Sequence, residues 1–236
     1  MLANYCERTV LVAVFLIIAP TMVTAADEAS TRWSQFRGPN ASGVADEQPG
    51  LPTEVGVEKN VLWRTAVPPG ASSPCIWDDR LFVTSFDRDA QRLELICIDR
   101  SNGKILWRRD IGAEQIEKVH VASTPASGTP ATDGERVYVY FGSRGLLCYD
   151  FDGQQQWIIE MPVPKMRNGS GTSPIVAGDK VLLNRDLPGD PHLLAVDGVT
   201  GEVAWKHPHL FAPGILTEGY ATPVLWKDQV ILHTHE

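Results

Sequence analysis

The 236-residue chain has no excess of positive charge. It carries 21 lysines and arginines against 29 aspartates and glutamates, and its formal net charge is −8. The basic residues do not gather into a stripe along the sequence. Proteins that bind nucleic acid use such a stripe to release the counterions of the phosphates. The composition therefore argues against a nucleic-acid partner.

The chain also lacks a run of apolar residues long enough for a membrane span. The N-terminal run Val10–Ala19 falls well short of the roughly 18 residues that a span needs. Arg8 precedes this run, and the small residues of Val23–Ala25 follow it as a cleavage site. We predict a signal peptide over residues 1–26, a periplasmic or secreted location, and no transmembrane span after cleavage.

Cysteine is scarce, with four residues in the whole chain. Cys6 lies before the apolar run, where a lipoprotein attachment cysteine would not be. Cys75, Cys97 and Cys148 each lie within an apolar stretch, and an odd number without regular spacing argues against a disulfide framework. Buried free thiols are therefore expected, with a Cys75–Cys97 bridge as the alternative that an exported protein would permit.

Motifs of common catalytic and metal sites are missing as well. The chain has no Gly-x-Ser-x-Gly, no His-Glu-x-x-His and no phosphate-binding glycine loop. Asp87 begins a stretch like a calcium loop, but Ile98 stands where a glutamate ligand is required. His233 and His235 share one face of a predicted strand and are the weak metal candidates, because no third ligand can be assigned. We predict no catalytic residue and no metal site.

What the chain does contain is a repeated hairpin. The stretch Leu193–Trp205 (LLAVDGVTGEVAW) has close copies at Leu95–Trp107 and Leu146–Trp157. In each copy an apolar strand ends on Asp, a glycine supplies the positive φ of a tight turn, and the next strand carries Trp. The residues to which we assign a structural role in the repeat are Trp63, Trp107, Trp157, Trp205, Asp99, Asp150, Asp197, Gly103, Gly153 and Gly201.

The spacing of the repeat predicts the fold. The four tryptophans lie 44, 50 and 48 residues apart, and a Ser/Thr-Pro pair recurs at a similar rate and precedes a second hairpin. A unit of four short strands recurring about every 50 residues is typical of β-propeller blades, and no long amphipathic helical pattern interrupts it. We predict an all-β fold, an incomplete β-propeller of four-stranded antiparallel blades.

The N-terminal part of the mature chain has no strand periodicity. Residues 27–59 are rich in proline, glycine and acidic residues and predict an extended strap over the propeller. Trp33 and Phe36 are expected to anchor this strap, and Arg37 to pin it. Residues 60–236 then form the partial propeller.

The blades can be placed along residues 60–236. Three run from about Ser72 to Arg109, Gly128 to Glu160 and Thr172 to His207. A fourth begins near Tyr220 and contains two strands. The segment Asn60–Val67 reads as a lone fourth strand that closes a blade begun elsewhere, as in ring-closed propellers. About three and a half blades plus this strand predict an N-terminal fragment, with the rest of the propeller missing.

The connections between blades are long enough to surround a central channel. Propeller ligands usually bind on such loops. Arg167 and Asn168 lie in the connection Met161–Gly171, and Arg144 lies in the turn of the second blade. These three residues are the candidates for a ligand contact at the channel mouth, although a solvated connector is the interpretation that we favour for them.

The hairpin resembles the pyrroloquinoline-quinone-type repeat, Ala-x-Asp-x-x-Thr-Gly-x-x-x-Trp. The match is specific at Asp197, Thr200, Gly201 and Trp205, and the copy ending at Trp107 has Asn in place of Thr. With the WSQFRGP strap, residues 60–236 look like the exported quinoprotein-like propellers related to the outer-membrane assembly lipoprotein. The resemblance implies that the repeat tryptophans pack between adjacent blades.

The resemblance also raises the question of a cofactor. Quinone-dependent dehydrogenases of this superfamily hold pyrroloquinoline quinone over a Trp floor, beneath a disulfide of adjacent cysteines, with calcium bound by Glu, Asn and Asp. This chain has no adjacent cysteines, and its acidic residues fall mostly in turns. Quinone with calcium is therefore the minority hypothesis.

The sequence thus favours an exported, non-catalytic propeller that binds or scaffolds a protein partner or another component of the cell envelope. The alternative is a quinone-dependent alcohol or sugar dehydrogenase, or a remnant of one.

Overall fold

A computed structural model describes residues 32–45, 50–209 and 218–234. This part of the chain folds into three four-stranded sheets and one two-stranded sheet, all antiparallel and paired in sequence order. The strands are β1 (Cys75–Trp77), β2 (Arg80–Asp87), β3 (Arg92–Asp99), β4 (Ile105–Ile111), β5 (Ala131–Thr132), β6 (Arg136–Phe141), β7 (Gly145–Asp150), β8 (Gln155–Glu160), β9 (Ile175–Ala177), β10 (Lys180–Arg185), β11 (His192–Asp197), β12 (Val203–Pro208), β13 (Val224–Trp226) and β14 (Gln229–Ile231).

These sheets confirm the predicted all-β propeller with incomplete blades. Blade one comprises β1 to β4, blade two β5 to β8 and blade three β9 to β12, while β13 and β14 begin a fourth. The predicted signal peptide and His235 lie outside the described residues. No helix in the described ranges is long and apolar enough to cross a membrane.

The blades are arranged side by side about a common axis. The first strands are neighbours, with β1 beside β5 and β5 beside β9. The apolar cores lie between adjacent blades: Phe82 of blade one packs with Val139 of blade two, and Tyr140 of blade two packs with Leu183 of blade three. The middle strands of the three four-stranded sheets are therefore buried on both faces, which explains their nearly continuous apolar runs.

The strap joins the first two blades. Trp33 exchanges two backbone hydrogen bonds with Ile76 of β1, both 2.8 Å long, and Ser34 accepts one from Thr132 of β5 at 2.9 Å. Trp33 is half-buried, whereas Phe36, the second expected anchor, is 36% exposed. Arg37 donates through Nε to the carbonyl oxygen of Ala41 at 3.1 Å, so it stabilises a turn of the strap itself.

The segment 60–67, expected as a lone closing strand, forms no ladder within the described residues. The fourth strand of a blade pairs only with the third strand of that blade, and the described residues include no third strand for this segment. Trp63 nevertheless occupies the position of a fourth-strand tryptophan, because its ring docks onto blade one.

Candidate functional site

The repeat tryptophans connect each blade to the next one along the chain. The indole Nε1 donates to a backbone carbonyl in the turn between the third and fourth strands of the following blade. The three bonds are Trp63 to Arg100 at 2.8 Å, Trp107 to Phe151 at 2.8 Å and Trp157 to Gly198 at 3.0 Å. The acceptor is always the residue that follows the repeat Asp, which explains why Asp and Trp recur together.

A glycine in the same turn makes room for the ring. Gly103, Gly153 and Gly201 have φ of 74°, 77° and 74°, a region that L side chains rarely adopt. A Cβ on Gly153 would lie 2.8 Å from Cδ2 of Trp107, and one on Gly201 would lie 2.7 Å from Cδ2 of Trp157. Glycine is therefore required at these positions for two reasons. It adopts the positive φ of the turn, and its lack of a side chain leaves room for the indole.

The repeat aspartates hold these turns. Asp99 Oδ1 accepts from the backbone N–H of Ser101 at 2.8 Å, and Asp197 Oδ1 accepts from that of Thr200 at 3.0 Å. Asp150 Oδ1 accepts from Gln154 in the same way at 2.8 Å. The hydrogen bonds to the Ser101 side chain and backbone lower the pKa of Asp99, because they stabilise its charged form. Each of these carboxylates therefore stabilises its own turn by accepting hydrogen bonds from backbone N–H groups of that turn.

Trp205 differs from the other repeat tryptophans. It is 42% exposed, and it lies on β12, which is exposed along its whole length. In the described residues the fourth blade consists of β13 and β14, which include no turn of the kind that accepts the other indoles. Blade three therefore presents an open face.

A second, inner connection uses the Ser/Thr-Pro pairs. In each case the backbone N–H before the proline donates to the hydroxyl of the matching residue in the next blade. The bonds are Ser73 to Thr129 at 3.0 Å, Thr129 to Ser173 at 3.0 Å and Ser173 to Thr222 at 3.1 Å. This relay of hydroxyls links all four sheets at their inner strands, and it explains why the pair repeats with the blades.

The channel-mouth candidates are engaged in contacts between loops. Arg167 forms an ion pair with Glu218 at 3.5 Å, and Asn168 Nδ2 donates to Tyr220 Oη at 3.1 Å. Both residues thus contact the segment just before β13. Arg144 lies apart from them and pairs with Glu160 at 2.9 Å. The Arg167 side chain is still 73% exposed, whereas that of Arg144 is 31% exposed.

Sequence reasoning missed a buried acid among these loops. Glu117 is 4% exposed, its N–H donates to Ser143 Oγ at 3.0 Å, and its Oε2 accepts from the N–H of Ser170 at 2.8 Å. Burial raises the pKa of the carboxyl, and the hydrogen bonds from Ser170 and the charge of Arg185 oppose this only in part. Glu117 ties three loops together. No periodic pattern marked it, because it lies outside the repeat.

A second buried polar group joins blade three to blade four. Asp186 is 1% exposed and accepts hydrogen bonds from His209 Nδ1 and from Asn184 Nδ2, the latter at 3.3 Å. The N–H of Gly219 donates to the carbonyl oxygen of Asp186 at 3.1 Å. These contacts hold the connection to blade four against blade three.

A cavity of about 800 Å³ lies at this junction, and Tyr220 and His233 line it. Counted along the chain from the turn between the first two strands, His233 corresponds to Asn184 of blade three. The described residues contain no group of three or more His, Cys, Asp or Glu side chains placed to hold a metal ion. The second candidate of the pair, His235, lies outside them.

The thiols are not placed for nucleophilic chemistry. Cys75, Cys97 and Cys148 are free and buried. Burial raises the pKa of Cys97 to about 11 and that of Cys148 to about 12. A thiol is nucleophilic as thiolate, so these cysteines act as small apolar core residues.

The described residues do not fit pyrroloquinoline quinone with calcium. A quinone that carries several carboxylates needs free cationic groups, yet the buried Arg185 already donates to Tyr140 Oη at 3.4 Å and to the carbonyl oxygen of Pro162 at 3.2 Å. A calcium ion needs several oxygen ligands, and the buried acids Glu117 and Asp186 lie in separate clusters. No chemical step through such a cofactor is derived for this chain.

Solved structures of two kinds resemble this fold. A quinohemoprotein alcohol dehydrogenase from Pseudomonas putida HK5 superimposes with a TM-score of 0.58 at 17% identity, over 76% of this chain and 27% of that one. The structure of BamB from Moraxella catarrhalis gives a TM-score of 0.51 at 18% identity, over 72% of this chain and 47% of that one. The chain thus spans between about a quarter and about half of these proteins. At such identities the likeness shows the fold.

A comparison with curated proteins finds no match. The family model described as outer membrane protein assembly factor BamB matches residues 54–236, which include every sheet of the structure. The chain therefore belongs to the family of the outer membrane protein assembly factor BamB.

Proposed function

We propose that this protein is an exported, non-catalytic propeller that binds or scaffolds a protein partner in the cell envelope, in the service of outer-membrane protein assembly. The observation that carries the proposal is the family match over residues 54–236. Export through a signal peptide at residues 1–26 and a periplasmic location are parts of the same proposal.

One feature of the site supports the non-catalytic part of this proposal, and a second supports the binding role. The polar residues around the channel mouth bind one another, as Arg167 does Glu218 and Asn168 does Tyr220, and the thiols are buried. The open face of blades three and four exposes large apolar side chains, among them Trp205 at 42% and Trp226 at 53%. Exposed apolar patches of this kind are typical of interaction surfaces.

The open face is also where we propose that a further sheet of the same repeat type packs. Three tryptophans of this chain dock onto the turn of a following blade, and the same chemistry is available at Trp205. Such a sheet would cover β12 and supply the carbonyl and the glycine that Trp205 needs.

Site-specific cross-linking in the living cell tests the proposed function. A photo-reactive residue at position 167, where the side chain is 73% exposed at the channel mouth, should trap a component of the outer-membrane assembly apparatus, while one at the exposed turn residue Asn102 should not. Retention of the protein in the cytoplasm would contradict the proposal. So would a stoichiometric complex of the purified protein with pyrroloquinoline quinone and calcium that oxidises alcohols.

A further inference from the structure

The four sheets share one turn between their first two strands. The first residue of each turn has positive φ: 52° at Asp78, 97° at Gly134, 62° at Gly178 and 58° at Lys227. Since these turns have the same geometry, the residue just before each turn occupies an equivalent place at the edge of its blade. In the first blade this residue is Trp77.

Trp77 fills the space between blades one and two at this turn. A Cβ on Gly134 would lie 2.5 Å from Cζ2 of Trp77, so the ring lies directly on that glycine. Arg32 covers the ring, with Cζ 4.4 Å from the ring centroid, and its Nε lies 3.3 Å from Asp78 Oδ1. The junction therefore holds an indole between a glycine and a guanidinium.

The matching place between blades two and three is open. Asp133 stands where blade one has Trp77, and its carboxylate accepts from Tyr138 Oη at 2.7 Å and from the N–H of Arg136 at 2.7 Å. Nothing lies within 4 Å of a Cβ built on Gly178, and Gly178 is exposed where Gly134 is half-buried.

A cavity of about 280 Å³ occupies this place. We call it the aromatic socket. Its walls include Asp133, Tyr138, Val176, Gly178, Val181 and Val199. The valines and the bare glycine offer apolar surface, whereas Arg136 at the rim is paired with Asp133 at 3.2 Å and Lys180 with Asp179 at 2.6 Å. A volume at the low end for ligand pockets suits one side chain better than a whole cofactor.

We propose that the aromatic socket receives an indole side chain, flanked by a basic residue, from a partner protein. The proposal rests on the binding role above and names the chemistry of one contact. We infer an indole as the occupant because the equivalent space between blades one and two is filled by an indole of this chain, that of Trp77, with Arg32 covering its ring. The basic neighbour follows from the rim, where Asp133, Glu135 and Asp179 outnumber Arg136 and Lys180.

A second copy of this chain is the less favourable occupant. The chain carries a net charge of −8, so two copies repel each other, while a basic segment is attracted to the acidic rim. Trp226, the exposed tryptophan at the equivalent place in blade four, is the residue that a second copy would insert.

The test uses the isotope-labelled full chain and the dipeptide N-acetyl-Arg-Trp-amide, followed by amide chemical shifts. Saturable shifts are expected at Gly178 and Gly198, and the control N-acetyl-Arg-Ala-amide should produce none. Gly178→Asn should weaken binding at least tenfold, because it places a side chain on the socket floor. The turn tolerates such a residue, as Asp78 and Lys227 show. Lys227→Asn, the same change in blade four, should leave binding unchanged.

A second variant keeps the test independent of the first. Trp77→Ala should open an equivalent socket over Gly134, so that the dipeptide then also shifts the Gly134 amide. Absence of saturable shifts at Gly178, or equal binding by Gly178→Asn, would overturn the proposal. Shifts at Gly178 that grow with protein concentration alone, and vanish in Trp226→Ala, would assign the socket to a second copy instead. A failed dipeptide with a successful cross-link from position 167 would remove the socket and keep the proposed function.

Discussion

Trp107 and Trp205 occupy the same place in two blades but have different surroundings. Trp107 is half-buried, donates to Phe151 and covers Gly153 of the next blade. Trp205 is 42% exposed on an exposed strand. The same residue in the same hairpin is thus structural at one junction and available for binding at the other. The neighbouring sheet, and not the repeat itself, decides which role the tryptophan has.

The comparison predicts its largest effect for the tryptophans themselves. Trp107→Ala removes a ring that packs against the core between blades one and two, along with its hydrogen bond. It should lower the free energy of unfolding by about 3 to 4 kcal/mol. Trp205→Ala should cost less than about 1 kcal/mol. Urea unfolding measures both, and equal losses would show that the two rings do not differ.

The glycine under the ring should give the next largest effect. Gly153→Ala adds a Cβ that would lie 2.8 Å from Trp107 at a φ of 77°, and we expect a loss of about 2 to 3 kcal/mol in the same experiment. Gly178→Ala, at a φ of 62° with open space around it, is the matched control and should lose about 1 kcal/mol. A smaller loss at Gly153 than at Gly178 would refute the indole contact.

The inner hydroxyl relay should contribute less. Ser173→Ala leaves the buried N–H of Thr129 without its acceptor, and a loss of about 1 to 2 kcal/mol is expected. Ser173→Thr keeps the hydroxyl, as Thr129 and Thr222 do in their blades, and should stay within about 0.5 kcal/mol of the unchanged chain. If both variants unfold alike, the relay carries no stability.

The smallest effect is a pH dependence from Glu117. Its pKa is raised above the ordinary 4.5, so the folded chain keeps a proton that the unfolded chain has already lost. The contribution of this group to stability therefore falls as the pH rises from 4.5 toward the raised pKa. Glu117→Gln should gain stability relative to the unchanged chain across that window.

Unfolding of both chains between pH 4 and 8 measures this difference. The exposed Glu114→Gln is the control and should show no such gain. A difference that rises in the opposite direction would mean that Glu117 is stabilised in its charged form.

The sequence predicted what the repeat controls. The period of Trp and of Ser/Thr-Pro located the blades, since each marker makes the same kind of contact at the junctions from blade one to blade three. The contacts of Glu117 and of Asp186 with His209 were not predicted, because they join loops that are far apart in the chain and have no period. Phe36 was expected to anchor the strap and is exposed, since Trp33 alone meets the backbone of β1.

The aromatic socket could not be predicted from the sequence for a related reason. Asp133 and Trp77 occupy equivalent positions, but the equivalence appears only when the strand registers are known. A sequence pattern reports which residues recur, and here the informative feature is a residue that fails to recur.

The central claim is that each repeat tryptophan docks on the following blade wherever the described part of that blade includes the turn between its third and fourth strands. Hydrogen exchange at the indole N–H groups, assigned by single Trp→Phe variants, tests it most directly. The indoles of Trp107 and Trp157 should be strongly protected, as their bonds to Phe151 and Gly198 require, and that of Trp205 should exchange rapidly. Equal protection of all three, or fast exchange at Trp107, would contradict the account.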